Sequence, residues 1–263
     1  MRDNGNPTPA TMRWLPLGLV LPALLVGAWF LAANRTGDAF LLPGPSQVGA
    51  ALYDLWREGR LLRDLGASLG RVGLGFALAS VLGVPLGFAA GRAAGFARLI
   101  GSTLDFLRQI PPVALVPLLI LWLGLGEAPK LLVIIYAAFF PIFLAAELGA
   151  RQVDRNLLEV GLLYQRRRSV ILRQIVIPSA LPSVTAGLRL GLGYGWRSLV
   201  VAEMLAAARG LGALIVEARS FGQADRMLAG VLAVGAAGLI LDQGLRACER
   251  LWPWARGTRG TVA

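Results

Sequence analysis

The strongest constraint in this sequence is a run of 20 residues without a charge, 72–91, reading VGLGFALASVLGVPLGFAAG. A helix needs about 20 apolar residues to cross about 30 Å of hydrocarbon, so the run is long enough to span a bilayer. It is not the only one. Residues 15–33 are 19 without a charge, preceded by Arg13 and Trp14; a secretory signal has a shorter apolar core of about 7–15 residues. Further spans are read at about 109–126, 131–146, 186–207 and 227–245. The 109–126 and 131–146 segments contain proline, which a membrane helix tolerates when its neighbours satisfy the freed backbone groups. With 56% hydrophobic and 16% charged residues in a chain of 263, the reading is an all-α polytopic transmembrane helical bundle of about six spans.

Basic residues exceed acidic ones by 26 to 15, a formal charge of +11. In a soluble chain that excess suggests nucleic acid, whereas in a membrane chain it sets topology. An even number of spans places both termini on one side. Assigning that side to the cytoplasm puts 15 basic residues inside, 9 outside, and Arg189 and Arg197 in the membrane. The inward excess follows the positive-inside rule. The charge is spread over loops, with no basic groove carrying aromatic platforms, so no nucleic-acid partner is expected. His is absent and Cys248 is the only cysteine, which removes His-based catalysis, Cys/His metal sites and an intrachain disulfide. No Gly-x-x-x-x-Gly-Lys-Ser/Thr loop is present, so any ATP that drives this chain binds elsewhere.

Glycine spacing bears on how the spans meet. Gly83, Gly87, Gly91 and Gly95 recur every four residues, as do Gly187, Gly191 and Gly195. Residues four apart share a helix face, so each ladder is a groove where another backbone can come close. The Gly191-x-Gly193-x-Gly195 stretch lies in an apolar span and opens no βαβ unit, so it is not a nucleotide fingerprint. The fifth span carries Arg189, Arg197 and Glu203. Ionisable residues at such depth face a bundle interior or a water-filled path. Arg197 and Glu203 lie six residues apart, about 600° around a helix, and so point to different sides. Arg197 is open to two roles, attracting a transiting anion or pairing with another span; Arg189 is expected to snorkel to the interface.

The longest cytoplasmic loop is read from about Glu147 to Val184. Within it, Leu157 to Tyr164 form a short apolar-acidic helix with Leu158, Gly161 and Leu162 on one face and Glu159 beside it. Docking into a partner's groove and lying on anionic lipid through Arg166, Arg167 and Arg168 are both open for it. Outside, segment 35–67 is too polar to span and contains an amphipathic helix, Ser46 to Trp56, with Val48, Leu52 and Leu55 on one side.

The order Glu159, Ile177-Pro178, Ala180-Leu181-Pro182 and Gly187-Leu188-Arg189 resembles the EAA loop of binding-protein-dependent ABC importer permeases. Leu42-Pro43, Ser68 with Arg71, Gly75-Phe76, Arg108 with Pro111, Pro117-Leu118, Phe140-Pro141, Trp196 and Val201-Ala202-Glu203-Met204 extend the likeness over roughly residues 40–250. They are similar to the sulfonate, taurine and nitrate branch. The resemblance implies a MetI-like ABC importer permease fold and a coupling helix seated in the ATPase subunit, at Leu158, Glu159, Val160, Gly161, Tyr164, Gln165 and Arg166. Trp196, Arg197 and Glu203 are assigned to the translocation path, with a role in dimer or span packing favoured for Glu203, and the two glycine ladders are assigned to helix packing. Val160-Gly161 stands where an Ala-Ala type pair is usual, and Gln165 where a glycine is.

On this reading the chain is a permease and not an enzyme, with no cofactor of its own; ATP and Mg belong to two ATP-binding subunits. A periplasmic solute-binding protein, a second permease copy and membrane lipid are the other partners, in the bacterial inner membrane. The segments are a cytoplasmic N-terminus 1–13, a first span 14–34, a periplasmic segment 35–67, a permease core 68–246 with its coupling loop at about 150–184, and a cytoplasmic tail 247–263. The competing class is a self-sufficient six-span secondary transporter or channel, which would need a relay of Asp, Glu or His in the membrane; only Glu203 is clearly buried there.

Overall fold

The computed structural model describes residues 15–38, 40–164 and 167–251. Gln165 and Arg166 of the expected coupling segment lie outside the described residues. In chain order the helices are α1 (Leu15–Thr36), α2 (Pro45–Arg57), α3 (Arg60–Arg92), α4 (Ala94–Leu107), a 3-10 turn (Pro112–Leu115) with α5 (Val116–Leu123), α6 (Glu127–Arg151), α7 (Arg155–Leu163), α8 (Arg168–Ile171), a π-turn (Leu172–Val176), α9 (Ile177–Ala206), α10 (Leu211–Ser220) and α11 (Ala224–Leu251).

Four of these are long and apolar enough to cross a membrane: Arg60–Arg92, Glu127–Arg151, Ser169–Ala206 and Ala224–Glu249. The expected third span, 109–126, is not one straight helix. Its residues belong to a pair, α4 and the 112–123 segment, bent by 80°. Pro111 and Pro112 explain the bend: proline lacks the N–H a helix needs and drives the preceding residue out of the α region, and Pro111 is extended with ψ 131°. With α1 this makes six apolar segments, five of them long enough only if the bent pair counts as one span.

Two boundaries move. The segment 35–67 is not all loop, because α3 begins at Arg60, and the connection read as 147–184 shortens, because α6 runs to Arg151 and α9 starts at Ile177. The polar first turns of α3 are paired within the protein: Arg60 contacts Asp64, and the buried Asp64 accepts from the Gly210 N–H. The amphipathic helix is present as α2, capped where Gln47 accepts from the Gly44 N–H at 2.8 Å, and it buries Val48, Ala51 and Leu55. Its corner with α3 turns at Gly59, φ 68°, a left-handed conformation that glycine adopts at little cost.

At the centre α6 lies between α3 and α9. Lipid tails are as apolar as leucine, so helices in a membrane associate through close packing and interhelical hydrogen bonds. Gly83, Gly87 and Gly91 of α3 supply one such contact. A methyl group at Gly91 would sit 2.5 Å from the Glu147 carbonyl oxygen, and one at Gly87 would sit 2.7 Å from Ala146 Cβ. Gly187, Gly191 and Gly195 of α9 supply the other: a methyl at Gly191 would lie 2.7 Å from Ile142 Cγ1 and 2.9 Å from the Ala138 carbonyl. Gly95 falls beyond the end of α3, in open space. Val72, Ile134, Leu192, Trp196, Leu199 and Leu211 close the core around this three-helix slab.

Candidate functional site

Three features stand out from the slab. The first is α7. Asp154 caps it, accepting from the Asn156 N–H at 2.8 Å while its carbonyl takes the Leu158 N–H at 3.3 Å; an aspartate here satisfies orphan N–H groups and complements the helix dipole. Its inner face rests on the α8–α9 segment. Leu158 joins the cluster of Ala150, Val153, Ile171 and Val176, and a methyl at Gly161 would lie 2.9 Å from Ile175 Cδ1 and 3.2 Å from Ile171 Cγ1. The glycine at 161 thus has a steric reason. On the outer side Glu159 is exposed, and Leu157, Val160, Leu163 and Tyr164 show 48%, 49%, 80% and 75% of their surface.

The second feature is a cleft of about 990 Å³ between α9 and α11, lined among others by Arg189, Gly193, Tyr194, Arg197, Val234 and Asp242. Arg197 is exposed in it, its guanidinium 5.6 Å from the Tyr194 ring, with no carboxylate partner among the described residues. Arg189 does not simply snorkel: it donates to Asp242 at 2.5 Å, and Arg246 donates to the same carboxylate at 2.9 Å. Trp196 is buried on the cleft's wall, its indole N–H donating to the Val234 carbonyl at 3.3 Å, and so ties α9 to α11.

The third is a polar node around Glu203, which sequence reasoning grouped with the path. The structure seals it: Glu203 is fully buried and lines neither the cleft nor any described cavity. Its carboxylate accepts from the Ser68 hydroxyl at 2.8 and 2.9 Å, from Arg71 Nη1 at 2.7 Å and from the Gly212 N–H at 3.0 Å. Ser68 in turn accepts from the Leu211 N–H at 3.1 Å. Arg71 also donates to the Arg209 carbonyl at 2.7 Å and, through Nε and Nη2, to both oxygens of Glu127 at 2.6 and 2.9 Å. Lys130, itself buried, completes the set by donating to Glu127 at 2.7 Å.

The node knits α3, α6, α9 and α10 together. A buried carboxylate is costly unless paired and fully hydrogen-bonded, and here it is both. Glu203 and Arg197 are therefore not partners, as their spacing along the helix already indicated.

Arg71 and Ser68 carried a sequence signal through the family pattern. Glu127, Lys130 and Asp64 did not, although Glu127 and Lys130 are three apart and so share a helix face. Beside the node, a second cavity of about 730 Å³ is lined by Arg71, Glu127, Lys130, Met204, Arg209 and Glu217, among others. At its rim Arg60 donates to Glu217 and holds that carboxyl below its usual range.

Comparison with known proteins identifies the architecture. Residues 65–251 match the family described as Binding-protein-dependent transport system inner membrane component. The chain is 34% identical to the putative aliphatic sulfonates transport permease protein of Bacillus subtilis, over 92% of this chain and 89% of that protein. It is 34% identical to the taurine transport system permease protein of Escherichia coli, over 89% and 87%, and 31% identical to the nitrate import permease protein of a Synechocystis strain, over 87% and 86%. A chain of the MetNI methionine ABC transporter, solved in inward-facing conformations, shares the fold with a TM-score of 0.59 at 17% identity, over 73% of this chain and 97% of that one. These findings set aside the self-sufficient secondary transporter. The chain belongs to the binding-protein-dependent transport system inner membrane components, as a transport permease of the ABC importers whose relatives serve sulfonates, taurine and nitrate.

Proposed function

We propose that this chain forms the translocation path of an importer for a small sulfonate- or nitrate-like anion, paired with a second copy of itself and driven by two ATP-binding subunits. A periplasmic binding protein delivers the solute, and both termini face the cytoplasm of a bacterial cell. ATP and Mg stay on the ATPases; this chain supplies the path and the coupling surface.

The observation that carries the reading is α7. A nine-residue helix, too short to span, stands off the bundle with an apolar outer face, while its inner face is fixed to the segment that becomes α9. Short helices of this kind suit a groove in a partner. Glu159, Val160 and Tyr164, with Gln165 and Arg166 following, are the positions assigned to ATPase contact; Leu158 and Gly161, read from the sequence as part of that surface, instead seat α7 on the protein's own Ile171 and Ile175 segment. The cleft supports the anion assignment, because Arg197 presents an exposed cation there. Trp196 acts as the wall that holds α9 against α11, and Glu203 holds the outer end of α9 in register.

The test is cysteine crosslinking. Cys248 is exposed and is first replaced by serine. Single cysteines at positions 157–164 are then oxidised against cysteines on the ATPase subunit. Crosslinks concentrated at the outward positions 157, 160 and 164 are expected; no crosslink at any position removes the coupling role.

A further inference from the structure

The cavity beside the Glu203 node has the composition of an anion site already occupied by one of the protein's own carboxylates. We propose that Arg71 and Lys130 form a binding site for a small oxyanion, nitrate- or sulfonate-like, and that Glu127 holds the site until the anion displaces it. The proposal deepens the transport reading above and rests on it for the direction of traffic: on that topology this cavity opens to the outside.

The two cations are built into the wall, with side chains 12% and 4% exposed, whereas the Glu127 side chain is 58% exposed and faces the cavity they line. The solvent-facing member of the trio is thus the carboxylate. Arg71 meets it with two parallel N–H bonds, at 2.6 and 2.9 Å, and Lys130 adds a third at 2.7 Å. That fork matches any oxyanion with two oxygens in a plane, which nitrate and sulfonate share with carboxylate.

Loss of Glu127 would not disorder the site. Arg71 is anchored on its far edge, where Nη1 donates to Glu203 and to the Arg209 carbonyl, both at 2.7 Å. The guanidinium therefore stays aimed at the cavity, preorganised for whichever anion replaces the glutamate. The cavity also leads somewhere. Arg189, Gly193, Arg197, Val200 and Met204 follow one another at intervals of four, four, three and four, so they share one face of α9. The first four line the cleft and Met204 lines the outer cavity. One helix face thus runs from the Arg71–Lys130 site to Arg197 and on to Arg189, where Asp242 again sits between two arginines.

The experiment uses the full chain in lipid nanodiscs, with Cys248→Ser and Met204→Cys, since Met204 is 37% exposed and borders the site. The rate at which a methanethiosulfonate reagent modifies position 204 is measured against rising sodium methanesulfonate, with sodium chloride at equal ionic strength as reference. Methanesulfonate is expected to slow the reaction. Glu127→Gln should lower its half-protecting concentration by roughly tenfold, the order of one competing charge-assisted hydrogen bond, and adding Lys130→Gln should raise it again.

Protection equal to that of chloride, or a half-protecting concentration that Glu127→Gln leaves unchanged or raises, overturns the proposal and leaves Glu127 a structural tether. If the Lys130 variant does not fold, the Glu127 result decides alone. Neither ATPase nor binding protein takes part, so failure here leaves the α7 crosslinks standing. Absent crosslinks with intact protection would remove the coupling reading and keep the site.

Discussion

Replacing Glu203 with alanine is the perturbation most sharply defined by the structure. The carboxylate receives the Ser68 hydroxyl at 2.8 and 2.9 Å, Arg71 at 2.7 Å and the Gly212 N–H at 3.0 Å, in a site with no solvent exposure. After truncation the Gly212 N–H has no acceptor, at about 1–3 kcal/mol for a buried unsatisfied group. The Arg71 charge is not orphaned, because Glu127 and the Arg209 carbonyl remain. The removed carboxyl also leaves a void against Gly210 and Gly212, which pack on it closely.

The Gly212 N–H and the Ser68 hydroxyl both lose their acceptor, at about 1–3 kcal/mol each, which sets an expected loss of about 2–6 kcal/mol. At about 2–4 °C per kcal/mol for a chain of this size, melting should fall by about 10 °C. Glu203→Gln keeps the volume and one acceptor but turns an amide donor toward three donors, so its loss should lie between parent and alanine. Intrinsic fluorescence of the 7 tryptophans in nanodiscs reads the transition, and Glu217→Gln at the exposed rim serves as control. A Glu203→Ala protein that melts within about 1 °C of the parent, or a glutamine variant worse than alanine, would refute the account of the node.

Two other substitutions test the slab and the cleft. Gly91→Ala forces a methyl to within 2.5 Å of a backbone oxygen and 2.7 Å of Ala150 Cβ, so it should cost about 1–3 kcal/mol through overpacking. Gly73→Ala on the same helix meets nothing within 4 Å and should raise stability by about 0.5–1 kcal/mol; equal effects in the same melting assay would sink the packing argument. Arg197→Gln in an assembled importer should reduce uptake of the proposed sulfonate- or nitrate-like anion by about tenfold, the scale of one charge-assisted contact, and unchanged uptake would show that the path does not use this cation.

What could be read in advance follows from how far each signal extends along the chain. Apolar runs, the four-residue glycine spacing and the short helix at 157–164 are local patterns, and the structure has helices at each. Direction was not local information: the 109–126 segment has the hydropathy of a span, but Pro111 and Pro112 turn it, and hydropathy does not register a turn. The Glu203 node was hidden for a different reason. Ser68 and Arg71 lie 135 and 132 residues from Glu203, and Asp64 lies 146 from Gly210. Counting charges loop by loop says nothing of the partners of Arg71 and Lys130, because pairing is decided by how α3, α6 and α9 are brought together.

That assembly also determines what a force on α7 can move. Gly161 seats α7 against Ile171 and Ile175, and both isoleucines belong to the helical run Ser169–Ala206, 38 residues long. At 1.5 Å per residue the run extends about 57 Å, longer than the about 40–45 Å of a bilayer with its interfaces. Its N-terminal end carries the contact with α7, its middle is held on α6 by Gly187, Gly191 and Gly195, and its C-terminal end is clamped through Glu203 to Ser68 and Arg71. A displacement of α7 therefore has one stiff route outward. The π-turn at Leu172–Val176 is where that route departs from regular helix, the kind of insertion that lets a long helix change direction. Because α9 bears Arg197 on one face and the Glu203 clamp on another, rotation about its axis changes what the cleft presents and loads the node at the same time. On the proposed function, coupling through α7 and gating at Arg197 thus share a single structural element.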